Sequence, residues 1–149
     1  MAQNLDCSVV IPCYNVEDYI DDCLKSVFEQ EGVNLEVICV DNNSHDNTLT
    51  KLQAWQIEYP DLIVLQEMRS GACAARNKGL HIASAPWVQF LDADDQIAGS
   101  KIIHQMKLIA IASQKVDFVV GASVKVDQNS NRKTVVPDCD RWKGLFVTN

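Results

Sequence analysis

Four short apolar runs, each followed by a stretch of helical character, constrain the fold of this chain more than any other feature. Strands that alternate with helices in this way build a parallel sheet with right-handed crossovers. The chain is therefore predicted to be an α/β protein with a doubly wound, mostly parallel sheet in three layers, α/β/α. The four predicted strands are Ser8–Ile11, Leu35–Val40, Leu62–Leu65 and Val88–Leu91.

The clearest helical pattern follows the first strand. Apolar residues recur from Val16 to Phe28 at the spacing of one helix face, and Gly32 is suited to end that helix. Three further helices are predicted over residues 49–59, 71–84 and 100–113. A fifth strand at Val116–Val120 and a sixth at Lys133–Val136, joined through a polar turn from Asp127 to Arg132, complete the prediction.

Length and composition exclude several classes of protein. The chain of 149 residues is the size of a single domain, so residues 1–149 are expected to form one. Its net charge of −7, without a cluster of lysine and arginine, argues against a nucleic-acid partner. No apolar run is long enough to span a membrane, and the first residues do not resemble a signal peptide.

The six cysteines form no C-x-x-C pair, and most lie in apolar stretches, so we expect reduced core residues. This indicates a cytoplasmic protein, with peripheral association at the inner face of a membrane left open.

The stretch Trp87–Asp95 points most directly to chemistry, because an apolar run ends there in three carboxylates within four residues. Like charges so close together repel one another, and oxygen ligands of this kind suit Mg²⁺, Mn²⁺ or Ca²⁺. The alternative is that one aspartate caps the next helix while the others are solvated.

Polar clusters follow three of the predicted strands: Tyr14 and Asn15, the octet Asp41–Thr48, and Asp92–Asp95. In doubly wound sheets, ligands bind at the carboxyl ends of the strands, where the strand order reverses. If the first and fourth strands are neighbours, Asp92 and Asp94 lie beside Pro12. Such a crevice suits a nucleoside diphosphate held through a divalent cation. The glycine spacing matches neither a dinucleotide-binding fingerprint nor a P-loop.

These segments resemble motifs of the family 2 glycosyltransferases, which have the GT-A fold. Four pieces occur in the order and at the spacing of that family: Ser8–Asn15, Val40–Ser44, Ala75–Gly79 and Phe90–Asp95. The resemblance covers about residues 7 to 120 and implies a nucleotide-sugar-binding domain, metal dependence through Mn²⁺ or Mg²⁺, and inverting transfer.

The resemblance also implies roles for single residues. Pro12 and Tyr14 would flank the base, Asp41 and Asn42 would contact base or ribose, and Asp92 and Asp94 would form the D-x-D motif. Asp94 would hold the metal, and Asp92 would approach either the metal or the ribose and diphosphate. The full set implied to bind the nucleotide sugar is Pro12, Tyr14, Asn15, Asp41, Asn42, Arg76 and Asp92.

Two departures from the family pattern bear on function. Asn42 stands where an aspartate is common, which leaves thymidine- and guanosine-linked donors open beside the favoured uridine. Family members usually continue into an acceptor-binding half with the catalytic base, and no acid after Asp95 is assigned that role. The chain is thus expected to be the donor-binding part of the enzyme without its acceptor-binding part, and its catalytic residue is unknown.

Three functions are therefore compared. The first is a transferase that moves a sugar from a nucleoside-diphosphate sugar to a glycan or other hydroxyl acceptor, as in polysaccharide synthesis. The second is a nucleotide-binding module without catalysis. The third, a signalling domain with an acidic phospho-acceptor pocket, would need acids after the first strand, where Pro12–Asn15 stands.

Overall fold

The computed structural model of the chain describes residues 5–119, 123–127 and 132–136. The strands in these residues are β1 (Cys7–Cys13), β2 (Leu35–Asp41), β3 (Ile63–Gln66), β4 (Val88–Phe90), β5 (Ser123–Asp127) and β6 (Arg132–Val136). The helices are α1 (Ile20–Phe28), α2 (Thr48–Glu58), α3 (Ala72–Ile82) and α4 (Lys101–Ile111). Within the described ranges, no helix is long and apolar enough to cross a membrane.

The first four strands form one parallel sheet in the order β3-β2-β1-β4. The chain proceeds from β1 outward to β2 and β3, then returns to the other side of β1 to form β4. The order therefore reverses between β1 and β4, whose register includes the pair Val10↔Phe90. This confirms both the parallel sheet and the condition that the first and fourth strands are neighbours.

The central strand β1 supplies side chains to a core on each face of the sheet. Val9 and Ile11, both fully buried, belong to a cluster with residues of α1, α2 and α4. Val10, also fully buried, points to the opposite face and packs with Ala75 of α3. Each such side chain contributes about 1.5–3 kcal/mol by leaving water. Helices on both faces confirm the predicted α/β/α layers.

Helix α3 lies unusually close to the sheet at Gly79. A Cβ atom at this position would lie 2.4 Å from Cγ1 of Val10 and 3.3 Å from Cγ2 of Val40. Real Cβ atoms do not approach a neighbour that closely, so only glycine fits without a shift of the helix or the strand. Of the small residues in this helix, Ala75 and Gly79 are thus explained by contact with the sheet.

Two predicted boundaries near the start of the chain are wrong. Strand β1 continues through Pro12 to Cys13, although proline was expected to end it. The pairing with β4 stops at Val10, so β1 has one neighbouring strand at Pro12 and the missing N–H can be accommodated on its open side. Helix α1 begins at Ile20, not Val16, and ends at Phe28 before Gly32, which has φ +70° in the following turn.

The predicted fifth strand is also wrong, because residues 116–119 lie outside any strand. Phe118 in this run is half exposed, and a pattern of apolar residues does not by itself identify so short a run as a strand. Val120, the last residue of the predicted strand, lies outside the described residues. The antiparallel hairpin consists of β5 and β6, paired from Ser123↔Val136 to Asp127↔Arg132. The expected strand at Lys133–Val136 is confirmed, and residues 128–131 of the predicted turn lie outside the described residues.

The chain divides into two compact units, one ending at Met106 and the other beginning at Lys107. The four-stranded sheet lies in the first unit and the hairpin in the second. The expectation of a single domain over residues 1–149 remains a prediction.

Most of the described cysteines are buried, as expected, and none forms a disulfide. The buried free thiols are Cys7, Cys13, Cys23 and Cys39. Burial raises the pKa of the Cys23 thiol to about 12, so this group is inert as a nucleophile. Cys73 is exposed, contrary to the expectation of a core residue, and Cys139 lies outside the described residues.

Candidate functional site

A pocket of about 270 Å³ opens at the carboxyl edge of the sheet. Three chain segments meet there: the end of β1, the residue after β2, and the start of α3. Tyr14 presents an exposed ring at this pocket. Among the predicted site residues, three line this pocket: Pro12, Tyr14 and Asn42. The other predicted site residues are not among those that line it: Asn15, Asp41, Arg76, Asp92 and Asp94. The lining consists of Pro12, Cys13, Tyr14, Asn42, Ser70, Gly71 and Ala72.

Asp41 is the last residue of β2 and pairs in register with Cys13 of the pocket wall. Its side chain is buried with 1% exposure, and within the described part of the chain its Oδ1 atom has no hydrogen-bond partner. A buried polar atom without a partner costs about 1–3 kcal/mol, and more when it is charged. A ligand that offers an N–H or O–H group to this oxygen would remove that cost.

Asn42 joins two walls of the pocket. Its backbone N–H donates to the carbonyl of Cys13 at 2.8 Å. Its side-chain Nδ2 donates to the carbonyls of Glu67 and Arg69, both at 2.7 Å, while Oδ1 accepts from the N–H of Gly71 at 2.8 Å. The side-chain amide is thus occupied by the loop over residues 67–71, which precedes α3.

The polar octet after β2 holds a neighbouring loop. Asn15 has φ 50°, a conformation that asparagine tolerates, and its Oδ1 accepts from the N–H of His45 at 2.8 Å. The hydroxyls of Ser44 and Thr48 accept from the N–H groups of Asn15 and Val16, at 3.1 and 2.9 Å. These hydrogen bonds tie the β1–α1 loop to the β2–α2 loop. Several residues of the octet therefore have a structural role, because their hydrogen bonds hold the two loops together.

The acidic loop after β4 is held between two apolar anchors. Leu91 and Ile97 are buried at its ends, and Ala93 is buried between Asp92 and Asp94. Because Ala93 points into the core, the aspartates on either side of it are both exposed. The N–H of Ile97 donates to the hydroxyl of Ser26 in α1 at 3.1 Å, which fixes the far end of the loop.

The electrostatics of this loop involve one cation and three carboxylates. Arg76 of α3 donates from Nη2 to Oδ1 of Asp92 at 2.5 Å, so two predicted site residues are in direct contact. Burial, and then the charges of Asp94 and Asp92, raise the pKa of Asp95. A cation bound beside these groups would favour their ionised forms.

The loop fits a cation that is only partly held by protein. In the part of the chain that the structure describes, no three acidic, histidine or cysteine side chains are placed to form a metal centre. Mg²⁺ is commonly bound through one or two carboxylates, with water and substrate phosphates as its other ligands. Asp92 and Asp94, exposed side by side, match that smaller requirement.

The sequence did not indicate a role for the loop that precedes α3. Ser70 and Gly71 of this loop line the pocket, whereas Glu67 lies at its start and does not line the pocket. Glu67 is buried, and its carboxylate accepts from the backbone N–H of Arg69 at 2.8 Å. The side-chain hydrogen bond from Arg69, followed by that from its backbone, lowers the pKa of Glu67. A glutamate after a short apolar run carries no pattern that distinguishes it from a solvated residue.

Comparison with known proteins identifies relatives of this sheet and its loops. The Glycosyl transferase family 2 description matches residues 8–145. The teichuronic acid biosynthesis protein TuaG of Bacillus subtilis, a putative glycosyltransferase, is 40% identical over 68% of this chain and 41% of its own length.

Two solved structures share the fold. S. aureus TarS in complex with UDP superposes with a TM-score of 0.66 at 26% identity, over 82% of this chain and 42% of the other. A mannosyltransferase from Pyrobaculum calidifontis, in complex with GDP-Man and Mn²⁺, gives 0.65 at 30% identity, over 84% and 36%.

In each of these three proteins, the matched part is less than half of the relative's own length. The family description, by contrast, covers nearly all of the present chain and includes β1, β2, α3 and the acidic loop. The α/β fold predicted from the sequence agrees with that of the solved relatives. The chain belongs to glycosyltransferase family 2.

Proposed function

We propose that this chain is the donor-binding part of a glycosyltransferase that takes a nucleoside-diphosphate sugar, with a UDP-sugar favoured. The sugar would pass to a hydroxyl group of a glycan or other acceptor, as in polysaccharide synthesis. The observation that carries the proposal is the buried Asp41 carboxylate, whose Oδ1 has no partner in the described residues. It pairs in register with Cys13 of the pocket wall. A nucleobase N–H or a ribose hydroxyl is the kind of donor that this oxygen lacks.

The pocket walls support a nucleotide as ligand. Tyr14 offers an exposed aromatic face against which a base can stack, next to Pro12. On the opposite wall, Gly71 and Ala72 place the N-terminus of α3 at the pocket. A helix N-terminus favours negative charge, so a diphosphate leaving the pocket on that side would be stabilised.

Arg76 and the acidic loop would serve the diphosphate. We propose that Asp94, together with Asp92, binds Mn²⁺ or Mg²⁺ and that Arg76 approaches the phosphate oxygens. A bound divalent cation would supply Lewis-acid stabilisation of the departing nucleoside diphosphate. The Mn²⁺ in the Pyrobaculum calidifontis relative supports this assignment by analogy. Asp92 would exchange its present hydrogen bond with Arg76 for contacts to the metal, the ribose or the diphosphate.

A nucleotide-binding module without catalysis is the second candidate. It is favoured because we assign no general base among the acids that follow the acidic loop. In the described residues, one of these acids, Asp117, pairs with Lys115 at 3.0 Å. Inverting transfer needs a base to take the acceptor proton. Sugar transfer, or hydrolysis of a nucleotide sugar, by the purified 149-residue chain would decide for the enzyme.

The experiment that tests the donor site is calorimetric titration of UDP, dTDP and GDP into the chain, with Mn²⁺ and then with EDTA. We expect one nucleotide, UDP, to bind with Mn²⁺ and to bind at least about tenfold more weakly with EDTA. Asp94→Asn should remove the metal-dependent part while the urea midpoint stays the same. Failure of all three nucleotides to bind a folded chain would contradict the proposal.

We further propose the cytoplasm as the site of this activity, at or near the inner face of a membrane. The four buried thiols without disulfides support a reducing compartment.

A further inference from the structure

The side-chain amide of Asn42 has almost no capacity left for a ligand. Both hydrogens of Nδ2 are donated, one to the carbonyl of Glu67 and one to that of Arg69. Oδ1 already accepts from the N–H of Gly71, and a carbonyl oxygen can accept two such bonds. Asn42 is also buried, with 5% exposure. A nucleotide could therefore reach at most one lone pair of this side chain.

The chemistry of the three partners explains why the residue is an amide. Two carbonyl oxygens require hydrogen-bond donors, and the N–H of Gly71 requires an acceptor. Asparagine supplies both from one rigid group. An aspartate at this position would place a carboxylate oxygen against the carbonyls of Glu67 and Arg69, so the loop would have to move away.

The same loop forms one wall of the pocket. Ser70, Gly71 and Ala72 line it, and Gly71 has φ +117°, a conformation that favours glycine. Nothing lies within 4 Å of a Cβ built on Gly71, so open space adjoins this position. Its carbonyl accepts from N–H groups in the first turn of α3, and its own N–H donates to Oδ1 of Asn42. Of these hydrogen bonds, the one to Asn42 joins the loop to the residue that follows β2.

We infer that Asn42 is a positioning residue that fixes the wall Ser70–Ala72 of the pocket through its side-chain amide. Its backbone N–H, bonded to Cys13, holds the opposite wall at the same time. The inference rests on the proposed function in that the pocket is taken to bind a nucleotide. Asn42 would thus affect nucleotide binding by holding the loop in place, whereas the family resemblance implies a direct contact with the base or ribose.

The test compares Asn42→Asp and Asn42→Ala with a matched control, Asn43→Asp. Asn43 is the next residue, is exposed, and has φ 59°, which aspartate also tolerates. Hydrogen–deuterium exchange is followed in the nucleotide-free chain, and UDP affinity is measured with Mn²⁺. We expect the Gly71 amide to exchange at least about tenfold faster in both Asn42 variants, because Asn42→Ala removes its acceptor and Asn42→Asp removes the two donors that hold the loop. The control should match the wild type.

UDP binding separates positioning from direct contact. If Asn42 positions the loop, Asn42→Asp should bind UDP as weakly as Asn42→Ala, or more weakly. If Asn42 contacts the nucleotide through an acceptor, the aspartate variant should keep the affinity that the alanine variant loses. That second result, with exchange at Gly71 unchanged in the free chain, would overturn the inference.

If both variants fail to fold, a measurement on the wild type still tests the inference. The two Nδ2 hydrogens of Asn42 should exchange slowly in the nucleotide-free chain, because both are donated. Exchange at the rate of an exposed amide would refute the inference. Because these readouts need no ligand, failure of UDP to bind the wild type would count against the proposed function and leave the positioning role standing.

Discussion

Nη2 of Arg76 lies 2.5 Å from Oδ1 of Asp92, so a cation from α3 neutralises one carboxylate of the acidic loop in the nucleotide-free chain. Both side chains are partly exposed, and such pairs contribute about 0–1 kcal/mol. The contact is thus weak enough to be exchanged when a ligand arrives. It also means that a metal ion must compete with a guanidinium for Asp92.

Removing this guanidinium should strengthen the binding of Mn²⁺ alone. We expect Arg76→Gln to bind Mn²⁺ about two- to fivefold more tightly than the wild type in the absence of nucleotide, as measured by paramagnetic resonance of the free ion. Lys25→Gln, which removes an equal charge from an exposed position on α1, should have no effect. Weaker or unchanged Mn²⁺ binding in Arg76→Gln would mean that Arg76 does not limit access to Asp92.

Replacing Asp41 by asparagine should make the chain more stable but weaken its binding of UDP. Asp41→Asn replaces a buried carboxyl group whose Oδ1 has no hydrogen-bond partner in the described residues. Because an amide costs less to bury than a carboxylate, we expect the free energy of unfolding to rise by about 1 kcal/mol in urea at pH 7. The same change should weaken UDP binding about tenfold or more, because the acceptor for the nucleotide is altered. Asp61→Asn, at an exposed position, serves as the control for both measurements. A variant that is less stable and binds UDP normally would argue that Asp41 has a structural role.

How far the sequence predicts this molecule depends on which interactions decide each feature. The parallel sheet with helices on both faces follows from alternating elements, because Val9 and Val10 must be covered on opposite faces. The extent of β1 at Pro12 could not be predicted, since it depends on where the pairing with β4 stops. Residues 116–119 carry the pattern of a strand but lie outside any strand, because the pattern of so short an apolar run does not distinguish a strand from other structures.

The candidate site likewise combines residues that the sequence predicts with contacts that depend on tertiary structure. The family resemblance implies Asp41, Asp92 and Arg76 as site residues, and these roles remain predictions. It does not contain the contact between the last two, which depends on how α3 packs against the sheet. Asn15 and Asn42 were predicted to bind the nucleotide sugar, and that prediction is untested. Their side-chain oxygens accept hydrogen bonds from backbone N–H groups 30 and 29 residues away in the sequence. No local pattern contains such partners.

The close approach at Gly79 predicts a large cost for a single methyl group. In Gly79→Ala the new Cβ would lie 2.4 Å from Val10, so overpacking should lower the free energy of unfolding by about 1–3 kcal/mol, partly offset by the better helix propensity of alanine. Urea unfolding measures this. At Gly99 an added Cβ would lie 3.6 Å from the Glu29 carbonyl, an ordinary contact, so Gly99→Ala should change stability little.

A double-mutant cycle identifies the cause. If the clash with Val10 is responsible, Val10→Ala should remove part of the cost of Gly79→Ala, and the two effects will not add. Additive effects would place the cost of the glycine substitution elsewhere.

Far from the pocket, a carboxylate joins the start of β1 to the segment after α3. Glu36 accepts from the hydroxyl of Ser8 at 2.5 Å, from the hydroxyl of Ser84 at 2.7 Å, and from the N–H of Ser84 at 2.9 Å. Partial burial works to raise the pKa of Glu36, but these hydrogen bonds together outweigh it. The net effect is a pKa below the ordinary value of 4.5.

Glu36 should therefore make stability depend on pH in the acid range. Because its pKa is lower in the folded than in the unfolded chain, its contribution is fully present above the unfolded pKa of about 4.3 and is lost as the pH falls through the folded pKa. Glu36→Gln should lower the free energy of unfolding by about 1 kcal/mol at pH 7, the size of a net hydrogen bond, with a smaller difference from the wild type at pH 3. Glu58→Gln, exposed at the end of α2, is the matched control and should lose little at either pH. Urea unfolding at both pH values measures the difference, and an equal loss at pH 7 and pH 3 would show that Glu36 acts through its shape and not through its charge.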